Sequence, residues 1–306
     1  MSKVTIDSRN PIPAISLSTR LLYSSGVVGY ALKDAAMAAF ILFYYKQVLG
    51  LSGTLTGLAI AISIVWDGIS DPLVGAWSDK IRTAIGRRHP FMIVSVAPLG
   101  VAFILLFSPP EAALETQASL FTWLLLSILL LRTALTVFMV PYLALGAEIT
   151  TDYHERTRLA SARTNLGYFV GVLVSATALA LLFNDKNDVD GRFVIENYHL
   201  YGWVSAILTL TFSITCIAGT WRHIPYLAKA TVHKGSNMLR DLITACRNRN
   251  VLDLVIFDTA LGGMGGISAT LLMVTYTYFW ELNARQISFW FAGPIITAGI
   301  LITLCS

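Results

Sequence analysis

The amino-acid sequence predicts an all-α membrane protein, and three observations carry that prediction. Of 306 residues, 55% are hydrophobic and only 13% charged, against about 45–50% apolar and about 25% charged in ordinary soluble domains. The apolar residues gather into long blocks rather than recurring periodically among polar ones. The basic residues cluster in short segments between those blocks, in a chain of mean hydropathy +0.66. This charge deficit excludes a disordered chain, a coiled coil, a nucleic-acid-binding module and most soluble enzymes. The net charge of +4 then reports topology and needs no polyanion partner.

A hydrocarbon core about 30 Å thick takes about 20 apolar residues to cross as a helix. Spans are expected near 20–48, 54–77, 91–108, 119–146, 164–184, 199–220, 253–280 and 287–306. The first is interrupted by the Lys33–Asp34 pair and the fourth by Arg132, whereas 164–184 carries no charge. The eighth runs into Ser306 with no polar residue to end it.

Loop charge sets orientation, because cytoplasmic loops hold the excess of Lys and Arg. With a cytoplasmic N-terminus, the inside segments hold Lys3, Arg9, Arg20, Lys80, Arg82, Arg87, Arg88, Arg156, Arg158, Arg163, Arg222, Lys229, Lys234, Arg240, Arg247 and Arg249. The outside segments hold only Lys46, Lys186, Arg192 and Arg285, alongside acids such as Glu111, Glu115, Asp185, Asp188 and Asp190. Six helices, a basic loop and further helices form the layout of a two-bundle transporter, the arrangement of the major facilitator fold. The expected units are a six-helix bundle at 1–220, a cytoplasmic central loop at 221–252 and the start of a second bundle at 253–306.

Ionisable groups inside a membrane cost at least about 2.5–3.5 kcal/mol each on insertion scales, so each needs a reason. Asp67 and Asp71 are i and i+4 in the second span and share one helix face. Two carboxylates that close need a proton or a bound cation between them. Hydroxyls of Ser70 and Thr136 offer further oxygen ligands to a hard cation. The pair therefore reads either as a coupling-ion or proton site or as an interfacial pair near the helix end. Lys33 and Asp34 read as a neutraliser of other buried charges and an acceptor for substrate hydroxyls, or as a structural ion pair to another helix. Arg132 needs an acidic partner or an anionic ligand. Asp258, in the seventh span, is either a second-bundle functional group or a buried acid bonded to neighbouring hydroxyls.

The loop 78–90 carries Asp79, Lys80, Arg82, Arg87 and Arg88, and the segment 148–158 alternates sign through Glu148, Asp152, Glu155, Arg156 and Arg158. Together they read as a cytoplasmic gate of Asp79, Arg87, Arg88, Asp152 and Arg156 whose ion pairs break as the bundles rock. They serve equally as a positive-inside anchor. Cys216, Cys246 and Cys305 are far apart, which supports neither a disulfide framework nor a zinc site. No GxxxxGK, HExxH or GxSxG pattern occurs, so enzyme templates fail.

The run Trp66-Asp67-Gly68-Ile69-Ser70-Asp71-Pro72, with Gly75 and Gly86-Arg87-Arg88-His89-Pro90, resembles the glycoside–pentoside–hexuronide:cation symporter family of the major facilitator superfamily. The likeness extends to Tyr44-Tyr45, to Val48-Leu49-Gly50-Leu51-Ser52 and to Val140-Pro141-Tyr142-Leu143-Ala144-Leu145-Gly146-Ala147-Glu148. It covers residues 18–220 well and the remainder loosely. The resemblance implies that Asp67, Asp71 and Thr136 take the family's cation-site positions. Ser70 stands where the family's melibiose carriers have asparagine, so the ion is Na⁺ or H⁺. It implies that Asp34, beside Lys33, binds sugar, and it puts Arg163 within one residue of the fifth-helix substrate arginine. The second sugar aspartate falls on Met139 and a sugar-stacking tryptophan on Leu143, which argues against a galactoside pocket of the melibiose type.

The implied activity is Na⁺- or H⁺-coupled symport of a sugar or related glycoside by alternating access. The expected substrate-site residues are Asp34, Lys33, Arg163 and Arg132, and the expected cation-site residues are Asp67, Asp71, Ser70 and Thr136. No cofactor is expected beyond the coupling ion. The expected partners are a small carbohydrate and the lipid bilayer, with no nucleic acid and a monomeric chain in a bacterial inner membrane. The family fold has twelve helices, so a C-terminally truncated copy is expected here. An inactive remnant, or a carrier of lipid or another solute, is the alternative.

Overall fold

Backbone in hydrocarbon must satisfy its own N–H and C=O groups, which forces each apolar block into a helix. The computed structural model describes residues 15–81, 83, 85–150, 152–184, 190–226 and 248–293, without the side chains of 225, 226, 258, 269 and 270. Among the described residues seven helices are long and apolar enough to cross a membrane. They are α1 (Leu17–Val48), α2 (Gly53–Lys80), α3 (His89–Phe107), α4 (Gln117–Ile149), α5 (Tyr153–Leu182), α6 (Ile195–Ile224) and α7 (Arg249–Tyr278). Residues 284–293 begin a further helix. The expected eighth span beyond 293, and 227–247 of the expected central loop, lie outside the described residues, as do Cys246, Cys305 and the Asp258 side chain.

The helix ends follow from local chemistry. Ser52 caps α2 by accepting from the Leu55 amide at 3.2 Å, and Asp152 caps α5 by accepting from the Glu155 amide at 2.8 Å. That cap explains why α5 starts at Tyr153, well before the apolar run at 164. Its polar first turns are helical for capping reasons that hydropathy does not register. At the α1–α2 turn Gly50 takes φ +76°, a left-handed conformation that costs glycine little. The Gln117 amide braces the turn, donating to the Gly50 carbonyl at 2.8 Å and accepting from the Ser52 amide at 2.9 Å.

Within the first bundle α3 lies between α4 and α6, α1 packs on α5 and α6, and α2 packs on α4. Helices α3 and α6 meet closely at Gly202, where a Cβ would stand 2.9 Å from Phe107 Cβ. Leu58, Ile64, Val65, Ile69 and Leu73 of α2 are exposed.

Helix α1 is not uniform. Wide π-type turns occupy Ala36–Phe40 and Tyr44–Val48, a feature frequent at functional sites. They lie at the end of the bundle that carries the acidic loops, where aromatic rings fill the core. Tyr44 stacks on Tyr198 at 4.2 Å, and Tyr45 Oη donates to the Leu106 carbonyl at 2.8 Å. Helix α7 packs against the 36–43 stretch of α1. Arg192 Nη1 donates to Thr277 Oγ1 at 2.8 Å, and Ser288 Oγ donates to the Ala176 carbonyl at 2.9 Å.

Candidate functional site

Four helices of the first bundle, α1, α2, α4 and α5, surround a cavity of about 880 Å³. Helices α3 and α6 contribute nothing to its lining and act as a packed back wall. The lining gathers Lys33, Asp34, Asp67, Asp71, Arg132, Thr136 and Arg163, residues that lie as far apart in sequence as 33 and 163. Phe291, from the helix at 284–293, borders the same space.

The α2–α4 contact is built as two rungs. On α2, Asp67 and Asp71 are one turn apart; on α4, Arg132 and Thr136 repeat that spacing. Arg132 Nη1 pairs with Asp67 Oδ2. Thr136 Oγ1 donates to Asp71 Oδ1 at 2.7 Å and lies 3.3 Å from Ser70 Oγ. Arg132 therefore has the acidic partner that its depth demanded. The two carboxylates thus differ in what faces them: a guanidinium meets Asp67, and a hydroxyl meets Asp71. Trp66 Nε1 donates to Thr133 Oγ1 at 2.9 Å, fixing the register of the two helices just beside the upper rung, Asp67 with Arg132.

On α1, Lys33 is buried while Asp34 is exposed to the cavity. Lys33 Nζ lies 2.5 Å from Asp34 Oδ1 and 4.2 Å from the centroid of the Tyr30 ring. The structural alternative for this pair, an ion bridge to another helix, is not what forms among the described residues. The lysine instead orients its own neighbour and is held by a cation–π contact. Arg163, on α5, stands beside Tyr23 and Tyr142 and pairs with no carboxylate among the described residues. Leu135, Met139, Val140 and Leu143 form an apolar wall of the same cavity. Among the described residues no cluster of three His, Cys, Asp or Glu side chains could hold a metal ion.

The expected gate residues divide. Arg88 Nη2 pairs with Asp79 at 2.7 Å, and Arg88 Nε reaches Glu148 at 2.9 Å. Arg87 Nη2 reaches the same Glu148 oxygen at 2.7 Å. Asp152 and Arg156 do not join them. Asp152 caps α5, and Arg156 donates to the carbonyls of Thr150 and Ala147, both at 2.8 Å, closing the end of α4. The partner that the sequence did not single out is Glu148. Its signal was present: an acid set against the last turn of an apolar span, opposite a basic loop. Every one of these ion pairs lies within the first bundle.

The sequence matches the family described as MFS/sugar transport protein over residues 22–306. The chain belongs to that family. It is a multi-pass membrane protein of the major facilitator superfamily, whose members are transporters. It is 31% identical over 152 residues to a symporter of Synechocystis whose substrate its name leaves open, covering 49% of this chain and 28% of that one. It is 30% identical over 165 residues to the sodium-dependent lysophosphatidylcholine symporter 1 of Mus musculus, covering 52% and 31%. A glucuronide carrier protein homolog of Escherichia coli is 26% identical over 209 residues, covering 65% and 44%. The match thus spans less than half the length of each of these relatives.

Proposed function

We propose that this chain belongs to a symporter that moves a small solute together with Na⁺ or H⁺ by alternating access. The observation that carries the reading is the lower rung, Asp71 with Thr136 and Ser70, at the wall of a cavity large enough for a solute. One carboxylate and two hydroxyls supply hard oxygen ligands for Na⁺, or a single acceptor for a proton. Bare Asp71 carries a charge that opposes closure of the cavity in a low-dielectric surround, and an ion or proton removes that charge. A cation on Asp71 then favours the closed, solute-bearing form, and by linkage the solute favours the cation.

A carbohydrate is the solute we favour. Asp34 presents its carboxylate to the cavity, oriented by Lys33, and accepts sugar hydroxyls, while Arg163 lines the same cavity as a donor. A second reading, an amphipathic lipid, is favoured by the apolar wall of Leu135, Met139, Val140 and Leu143. The inside location of the N-terminus and of the Asp79–Glu148 network follows from the basic loops.

The test uses the chain reconstituted in lipid vesicles. Trp66 is adjacent to Asp67, so Na⁺ or a pH step at constant ionic strength should change tryptophan fluorescence. Asp71→Asn should abolish the change. A response that survives Asp71→Asn in full, or no response to either ion, refutes the cation site. Uptake of labelled glycosides against labelled lysophospholipids then separates the two solutes.

A further inference from the structure

We infer that Arg132 is a resident counter-cation that withdraws Asp67 from the exchangeable site and so leaves the coupling cation to Asp71 alone, at reduced affinity. The inference rests on the cation-coupled reading above and goes beyond it by assigning ion affinity to one residue.

The two rungs differ in charge although they begin from the same residue type on α2. The upper rung, Asp67 with Arg132, is neutral. The lower rung, Asp71 with Thr136 and Ser70, carries one negative charge and hydroxyls that donate or accept as needed. A mobile cation approaching Asp67 competes with a guanidinium tethered to the neighbouring helix, whose effective concentration no dissolved ion reaches. Arg132 is also 92% buried, being 8% exposed, and its Nε has no hydrogen-bond partner. An arginine placed for stability alone normally has its donors satisfied. This one makes a single contact and leaves a donor idle beside a cavity that holds other charges. That is the state of a group held in place by one carboxylate.

Two bare carboxylates about 6 Å apart along a helix would hold a hard cation far more tightly than one, because each adds its own Coulomb attraction. With Asp67 neutralised in place, the site carries a net charge of one. Loading it with one monovalent cation leaves both rungs neutral, and a second cation has no carboxylate to meet.

Na⁺ binding to the full chain in detergent tests this, by the change in tryptophan fluorescence for affinity and by equilibrium dialysis of ²²Na⁺ for stoichiometry, at constant ionic strength in choline. Arg132→Gln should tighten Na⁺ binding by about tenfold or more, whether or not the unaltered chain binds it strongly, with the number bound staying at one because the two carboxylates then share the ion. Arg132→Lys, which keeps the charge, should retain the affinity and stoichiometry of the unaltered chain. Adding Asp67→Asn to Arg132→Gln removes both charges of the upper rung together, so it also guards against misfolding of the single variant. It should return the affinity to within about threefold of the unaltered chain. Equal Na⁺ affinity in Arg132→Gln and the unaltered chain overturns the inference, as does failure of the double variant to reverse the gain. A chain in which Asp71→Asn leaves Na⁺ and proton responses intact would instead sink the underlying symport reading, whatever Arg132 does.

Discussion

Among the described residues two clusters of charge are built to different standards. Near the basic loops, Glu148 accepts from both Arg87 and Arg88. Arg88 spends its remaining donors on Asp79 and on Ser78 Oγ, the latter at 2.8 Å. In mid-span, Arg132 meets one carboxylate oxygen and leaves Nε idle, and Asp67 keeps 31% of its side chain exposed to the cavity. The first cluster is a closed network in which each charge is matched by geometry as well as by sign. The second is open. A closed network stabilises one arrangement of helices, whereas an open one leaves a charge that a mobile ion can act upon.

The sharpest way to break the contrast is Glu148→Ala. It strands Arg87 and leaves the buried Arg88 with only Asp79 and Ser78, and should cost about 3 kcal/mol, read as a large fall in thermal unfolding temperature in detergent. A change near zero would show that the network is no tighter than a surface cluster. Arg88→Lys keeps the charge but cannot hold Asp79, Glu148 and Ser78 at once. A loss of about 1.5–3 kcal/mol is expected in the same measurement. Arg132→Gln should cost less, about 1 kcal/mol, since Asp67 keeps part of its side chain exposed to the cavity; a loss equal to that of Glu148→Ala would erase the distinction between the clusters. The smallest effect belongs to Arg158→Ala. Its pair with Glu155 at 3.0 Å leaves the arginine 65% exposed, and unfolding should move by less than about 0.5 kcal/mol.

The same contrast separates what was legible in the sequence from what was not. The seven spans were readable because crossing hydrocarbon demands a long apolar helix, a requirement each segment meets alone. The Asp67–Asp71 face was readable for a similar reason: i, i+4 spacing is a property of one helix. The start of α5 was missed because Asp152 capping extends the helix into polar sequence that hydropathy does not count. Asp152 and Arg156 were expected in the gate because their charges suit it. They serve helix ends instead, since the caps at the α4–α5 turn are local and form without any partner helix. Glu148 sits in the same run, and it is the acid there that reaches the basic loop.

By itself, then, the sequence determined the class of protein, the number of described spans, and which few residues carry charge into the membrane. Those properties follow from composition and from periodicity within single helices. The tertiary structure decided how the charges are spent. Asp67 and Arg132 are 65 positions apart, and so are Asp71 and Thr136. Only the packing of α2 on α4 determines that one carboxylate meets a guanidinium and the other a hydroxyl. Sign and spacing say that buried charges must be compensated. Which charge compensates which depends on the rotation of two helices about their axes, and that is fixed by contacts along their whole length.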